Sequence, residues 1–588
     1  MGRMARSSGA VHVAKVSKKY VTKAGPRESV SYLLRRSYRD GAKVKHETLA
    51  NLASLPEHAI EALRASLAGA TLIDATAGLQ ITRSRPAGHI DAVTRMARGL
   101  GIEKLLGPAC RERDIVMALL CARICAPSSK LASLRWLKDT ALGSQLGEVS
   151  TDEAYAAMDW LLQRQPAIER GLAARYLTDA QVNPQRLALF DLSSSWVTGH
   201  CNPLAARGYS RDRKKGTEQI EYGMLATRDG IPLAVRVVPG NTADPAAFTQ
   251  IAGEMKTLAG VEDLVMVGDR GMITSARIRA LQDAGDLGWI TCLRSPAIAA
   301  LAAADGPLQL SLFDQQDLAE ITHPDYPGER LIACRNPALA AERARKRGEL
   351  LEATERDLQV IAAAVQDGRL SGAGRIGVRV GKIIGKYKMA KHFALSITDT
   401  SFSYTRREDQ IAAEAALDGV YVIRTSVPAH AMDTAETVRA YKSLANVEKI
   451  FRSLKTIDLQ VRPIHHHTEN RTRAHVFLCM IAAHISWHLR RAWAPLTYTD
   501  TDRPIPDNPV TAAKRSSAAQ AKASTRTLPS GALAYSYQSL LAHLGTRTRN
   551  TVRATGTTAT FELTALPTPT QQRAHDLIEA HLTDQGAK

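Results

Sequence analysis

Between Leu187 and Leu293 the chain changes its apolar period several times, and the order of those changes restricts the fold more than any other feature. Leu187-Ala188-Leu189-Phe190 is a short apolar run that meets Asp191, as a buried strand ending in an acid would. Ile220 to Thr227 and Ile231 to Val238 are two more strand-length runs joined by Asp229-Gly230, a tight hairpin signal. Asp244 and Pro245 supply an N-cap and a first-turn proline for a helix through about Leu258. Leu264 to Val267 is a strand that ends in Gly268-Asp269-Arg270-Gly271, and a helix from about Ser275 to Ala284 and a strand from Gly288 to Leu293 follow. Three strands with a hairpin, then helix, strand, helix, strand, describe a mixed α/β sheet with an acid at the end of two strands. The crevice beyond strand ends is where such sheets place their sites.

A chain of 588 residues exceeds one ordinary core, so several domains are expected. Its formal net charge of +19 is spread along the chain, which favours a polyanion, nucleic acid before membrane surface, as partner. Seven cysteines without C-x-x-C pairs argue against a disulfide framework or a structural zinc site and for a reducing compartment. The most apolar helical run, near Val476 to Leu489, is interrupted by His484, Ser486 and His488, so a soluble, cytoplasmic protein without a membrane span is expected.

Six regions are expected. Residues 1–55 form a small β unit, with Ser31 to Arg36 and Ala42 to His46 around Asp40-Gly41; residues 56–180 are helical and, by charge and position, DNA-binding. That region holds an amphipathic run from Arg111 to Ile124 and a capping box, Ser150 with Glu153. Residues 181–294 and 432–493 are the two parts of the α/β core. Residues 295–431 are an insertion with a charged helix, Ala341 to Gln366, and strands at Ile376 to Val380, His392 to Ile397 and Val420 to Thr425. Residues 494–588 begin as a flexible linker rich in Pro, Thr, Ser and Ala, through Gly531, and end in a small region with helices near Tyr535 to Leu544 and Gln571 to His581.

Wound at about 100° per residue, Val447, Ile450, Phe451 and Leu454 fall on one stripe, while Tyr441, Glu448 and Lys455 share an adjoining one. Taken singly, Asp191 and Asp269 read more readily as turn formers and Glu448 as part of a solvated face. Together with Glu448 they make a set of oxygen ligands suited to hard divalent cations, and two such ions serve phosphodiester chemistry. Arg211, Arg213, Lys214 and Lys215 follow the first acid in a loop and are read as phosphate contacts that position DNA. For Lys382, Lys386, Lys388 and Lys391 a phosphate contact and a solvated run stand equally. The consecutive side chains of His465, His466 and His467 do not converge on one ion, so a structural or DNA-facing role is expected; Trp196 is read as core.

Phe190-Asp191, Val267-Gly268-Asp269-Arg270-Gly271 and the Tyr441, Glu448, Lys455 helix resemble the catalytic segments of bacterial insertion-sequence DDE transposases with a Tyr-Arg-Glu-Lys signature. Gly240-Asn241-Thr242 with Asp244, and Gly208-Tyr209-Ser210-Arg211-Asp212, are similar to accompanying family segments; Ser31 to Tyr38 with Leu49 to Leu52 resembles one branch of the group. The resemblance implies an α/β, RNase H-like core interrupted by a largely β insertion, with a helical N-terminal region. It implies a metal-binding triad of Asp191, Asp269 and Glu448, two Mg²⁺ or Mn²⁺ ions, and phosphate contacts from Tyr441 and Lys455. It further implies binding of double-stranded DNA at the terminal inverted repeats, cleavage and strand transfer, a homodimer on paired ends, and a nucleoid-associated place in the cytoplasm. The signature arginine falls on Leu444, and Arg452 is read either as its replacement or as a partner of Glu448. The alternatives are a metal-dependent nuclease without strand transfer and a catalytically inactive DNA-binding protein.

Overall fold

The computed structural model describes residues 10–22, 25–40, 43–70, 78–177, 187–208, 212, 214, 216–242, 253–254, 257, 264–271, 273–274, 278–279, 288–303, 306–555 and 558–586. The helices expected over Asp244 to Leu258 and Ser275 to Ala284 lie mostly outside these residues, as do Arg211, Arg213 and Lys215. The chain divides into two units, Met1–Arg85 with Thr548–Leu566, and Pro86–Arg547 with Pro567–Lys588.

In the first unit Val11–Thr22, Gly25–Asp40 and Lys43–Asn51 form an antiparallel sheet. Asp40 pairs with Lys43, which sets the hairpin where Asp40-Gly41 indicated. The first of these strands gives little apolar signal because half of it is exposed, none of it is fully buried, and it is rich in lysine. Leu79–Pro86, Thr548–Ala554 and Thr560–Thr564 form a second sheet in this unit. Part of the C-terminal region is therefore not a separate tail.

The second unit is organised by an eight-stranded sheet. Its strands in chain order are β1 (Leu187–Trp196), β2 (Gln219–Thr227), β3 (Pro232–Pro239), β4 (Val265–Val267), β5 (Gly288–Cys292), β6 (Leu318–Ile321), β7 (Arg330–Arg335) and β8 (Val420–Thr425). Their spatial order is β6-β7-β8-β5-β4-β1-β2-β3. β1, β2 and β3 are antiparallel neighbours, whereas β4 runs parallel to β1 and β5 parallel to β4. That is the RNase H-like arrangement expected. β3 is an open edge, and side chains close it. Glu169 accepts from Val235 N at 3.0 Å, Gln165 donates to Val235 O at 2.9 Å, His484 donates to Pro232 O at 3.0 Å and Arg473 donates to Val237 O. Satisfying those groups prevents the edge from pairing with another strand.

Three strands of the insertion, β6, β7 and β8, extend this sheet beyond β5. The expectation of a largely β insertion is corrected, because its longest elements are the helices Pro337–Gln366 and Ala373–Tyr387. Asn336 caps the first by accepting from Leu339 N, with Pro337 at the first helical position. Ile376 to Val380, expected as a strand, belongs to the second helix. Ile376, Val380 and Ile384 recur every fourth residue and bury together with Leu358 and Phe393. The strand expected at His392 to Ile397 is Phe393–Ile397, paired with Phe402–Arg406.

Around the sheet, Arg111–Cys125, Thr151–Tyr176 and Glu469–Ala492 are core helices. The first is not amphipathic as expected, since every residue from Ile115 to Ile124 is buried. Ser150 and Glu153 form the expected capping box of the second. The expected flexible linker is also corrected. Val510 is fully buried, Lys442 donates to the carbonyls of Pro509 at 2.9 Å and Val510 at 3.1 Å, and Ser517–Thr525 is helical. Helices Tyr537–Gly545 and Pro569–Gly586 place Leu540, Leu544, Ala574 and Ile578 in the main core. Among the described residues no single helix is long and apolar enough to cross a membrane.

Candidate active site

Asp191 stands midway along β1 and not at its end, because the strand continues through Ser193-Ser194-Ser195 to Trp196. These serines remain extended by pairing with β2, and the Ser195 hydroxyl meets the Tyr222 hydroxyl at 3.0 Å. Alternation puts Asp191, Ser193 and Ser195 on one face, with Tyr222 opposite Ser193. The Tyr222 ring meets Phe451 edge-on, centroids 5.8 Å apart. Helix Leu444–Arg452, which carries Phe451 and Glu448, therefore covers the face that Asp191 shares. Leu187, Ala188 and Leu189 pair in parallel with Val265, Met266 and Val267. Carried two residues further, that register sets Asp191 beside Asp269.

The turn after β4 is built around the second acid. Gly271 N donates to Asp269 Oδ1, and a Cβ on Gly271 would lie 3.0 Å from that oxygen. A Cβ on Gly268 would press to 2.9 Å on the Ile273 side chain. The two glycines thus let the chain wrap an exposed carboxylate. Asp191 is half-buried, and its Oδ1 accepts from Leu192 N at 2.8 Å.

The Tyr441-to-Lys455 helix departs from its expected form. The apolar stripe is as expected, with Val447, Ile450, Phe451 and Leu454 buried. One charged stripe is not. Helix Thr434–Lys442 closes at Ser443, whose hydroxyl donates to Ala440 O at 2.6 Å, a second helix runs over Leu444–Arg452, and Ser453–Ile457 is a π-helical turn. The break and the wider turn rotate three residues that a continuous helix would have aligned. Asp458, almost fully buried, anchors the turn through Ser453, Arg490 and Gln538.

Tyr441 consequently shares a hydrogen bond with the Cys292 thiol and lies within electrostatic reach of Asp269 and Arg270. Burial, the thiol and Asp269 push its phenol well up, so it stays protonated; burial likewise pushes the Cys292 thiol up. Glu448 is exposed. Lys455 reaches Asp212 Oδ1 at 2.9 Å, and Arg462 pairs with the same oxygen. With Asp212 only 2% exposed and Lys455 11%, Lys455 is held in an internal ion pair and not on an open rail. Leu444 packs at the margin of the core, as its place beside the apolar stripe indicated.

Arg452 is exposed and forms no ion pair with Glu448 among the described residues. It lies close enough to Lys449 for their charges to repel. Burial, then Arg503 and Arg452, hold the Lys449 amine below its ordinary value. Arg452 and Arg503 thus lie within electrostatic reach of Lys449, and Arg503 also pairs with Asp500 at 3.4 Å. Lys214 lies over the Trp196 ring, 3.5 Å from its centroid, so Trp196 is a seat for a cation and not core. His466 is turned inward, and burial with nearby Lys130 and Arg123 holds it at a pKa of about 3; His465 and His467 are exposed. Among the described residues no three His, Cys, Asp or Glu side chains are placed to hold a metal ion. Asp191 and Asp269 are neighbours across two strands, and Glu448 is not drawn onto them in this conformation. Arg462, Lys449 and Arg503 were not singled out from sequence, and Asp212 entered only as the end of the segment Gly208 to Asp212, with no role assigned; a further signal was its place as an acid inside the basic run Arg211 to Lys215.

A family model described as Transposase DDE domain matches residues 203–485, and one described as IS1634 family transposase, N-terminal domain, matches residues 15–76. The first begins after Asp191 and includes Asp269, Tyr441, Glu448 and Lys455. No curated protein matches the chain. Among solved structures, the chain is similar to a piggyBac transposase synaptic complex with hairpin DNA, at 8% identity and a TM-score of 0.31, over 78% of this chain and 79% of that one. It is also similar to a Mos1 transposase paired-end complex with the left transposon end, at 13% identity and a TM-score of 0.14, over 30% of this chain and 61% of that one.

Proposed function

The chain belongs to the DDE transposases, with the N-terminal domain of the IS1634 family, and from that membership we propose which of its residues carry the reaction. As an insertion-sequence transposase it cleaves DNA and transfers the cleaved strand. Enzymes of this family act on DNA and use divalent metal ions. Our reading makes Asp191, Asp269 and Glu448 the metal-binding triad. Its main support is the parallel pairing of β1 with β4, which sets the first two acids side by side on a face covered by the helix of the third.

The donor chemistry fits, because three carboxylates offer only oxygen, which suits Mg²⁺ or Mn²⁺. Two such ions would stabilise charge on the attacking and leaving oxygens of the phosphodiester. Helix Leu444–Arg452 is bounded by Ser443 and by the π-helical turn, and movement between these ends brings Glu448 to the aspartates. Lys449, Arg452 and Arg503 take phosphates of the bound end, in place of the arginine that Leu444 replaces. Tyr441, kept protonated, offers a neutral hydroxyl beside Asp269. Lys214 reaches phosphate by exchanging Trp196 for it, whereas Lys455, expected as a phosphate contact, stays tied to Asp212. The DNA bound is the terminal inverted repeat, and two copies of the chain hold two ends together.

Asp191→Asn, Asp269→Asn and Glu448→Gln should each abolish metal-dependent cleavage and joining of a duplex carrying the element's own ends, with end binding retained. Wild-type joining by any one of them removes that residue from the triad. Cleavage without joined product in the wild-type protein would instead identify a nuclease.

A further inference from the structure

The helix Ala373–Tyr387 of the insertion carries a face with no internal explanation. Gly374, Gly377, Gly381 and Gly385 recur at intervals of three, four and four, which aligns them on one stripe. A Cβ at any of the four would meet nothing within 4 Å. Glycine weakens a helix interior, and no neighbour among the described residues requires it here. Beside this stripe, about 100° round the helix, Arg375, Arg379, Lys382 and Lys386 form a second, exposed one. The opposite side is anchored, since Ile376, Val380 and Ile384 are buried. The outward face is therefore held firmly in place.

Its charge has one sign. From Gly368 to Thr398 the chain has seven lysines and arginines and no aspartate or glutamate. Lys386 reaches Asp357 at 3.2 Å. Arg375, Arg379 and Lys382 have no ion-pair partner among the described residues. A second copy of the chain would bring the same row of cations against this one, which disfavours a self-contact. A duplex supplies the complement. The row from Arg375 to Lys386 spans roughly 16 Å of helix, along which double-stranded DNA carries roughly ten phosphates. Where side chains are absent, the phosphate backbone approaches the helix closely while the neighbouring cations reach around it.

We propose that this face of the insertion is a duplex-binding surface made of residues separate from the three acids. It holds the DNA backbone without reading sequence, and it rests on the transposase reading for the presence of DNA.

The test uses the full-length chain and a fluorescent duplex of arbitrary sequence, titrated over a range of salt. The Arg375→Ala, Arg379→Ala, Lys382→Ala triple variant should bind more weakly, with a salt slope reduced by roughly 2 to 3, at about 0.9 per phosphate contact. The variant with alanine at all four glycines keeps every charge; it should melt at a higher temperature and still bind the duplex less tightly. Wild-type affinity and slope in both variants would overturn the proposal. So would a glycine variant that changes only the oligomeric state in sedimentation. Asp191→Asn, assayed in parallel, separates this from the function itself: it should bind the arbitrary duplex normally and fail to cleave a duplex carrying the element's own ends, whether or not the insertion surface holds.

Discussion

Lys455 and Arg375 are both basic residues in basic stretches, and the structure treats them in opposite ways. Lys455 shares one oxygen of nearly buried Asp212 with Arg462. Arg375 stands in solvent on a helix whose neighbouring positions are glycine and cation. In the first case an acid more than two hundred residues away in sequence turns a cation into a structural tie. In the second nothing among the described residues claims the charge, which leaves it for an external anion. Basicity is written in the sequence, whereas the partner that decides its use is set by the fold.

That contrast can be broken most forcefully at Asp212. Asp212→Asn leaves two poorly exposed cations uncompensated and should destabilise the protein by about 3–5 kcal/mol in chemical denaturation, whereas Arg375→Ala should stay within about 0.5 kcal/mol. Similar losses in the two variants would erase the distinction.

Acid should act on the buried side of the comparison only. Burial lowers His89 and His484 from 6.5 to about 4. Below pH 6.5 the unfolded chain takes up these protons before the folded one does. Stability is therefore full above that pH and falls, by a few kcal/mol to order of magnitude, as pH drops from about 6.5 to about 4. Thermal melts across this window should show the loss, and His484→Gln should reduce its slope. The Arg375→Ala, Arg379→Ala, Lys382→Ala triple variant removes none of these histidines and should keep the wild-type profile.

A smaller effect is expected at the sheet edge. Glu169→Ala removes the acceptor of Val235 N and the partner of Arg236, and should cost about 1–3 kcal/mol, read from the urea midpoint. Smallest is Gly381→Ala, which should stabilise by about 1 kcal/mol in the same measurement because the site is open and helical. A loss there would mean that the glycine face is packed.

Much of the core was legible in sequence because strand-length apolar runs and the Asp229-Gly230 turn are local signals. The same holds for the Gly268-to-Gly271 turn and for the buried stripe of Val447, Ile450, Phe451 and Leu454. The break at Ser443 was hidden, since the residues on either side keep helical spacing and a serine hydroxyl bonding back to the preceding turn also occurs inside helices. The π-helical turn was hidden because Asp458 draws its partners from Arg490 and Gln538. Ile376, Val378 and Val380 alternate like a strand, and only the burial of Ile384 with Ile376 and Val380 reveals the helix. The Pro- and Ser-rich composition after Trp493 resembles a linker, but Val510 and Ala519 are buried by contacts that composition does not encode.

The central claim is that Asp191, Asp269 and Glu448 act as one site, and Glu448 is the exposed member that lies on a separate helix. The most direct measurement is strand transfer by Glu448→Gln in Mg²⁺, using a duplex with the element's own ends and a supercoiled target. The expected result is no joined product, with end binding equal to wild type. Joined product at the wild-type rate would contradict it.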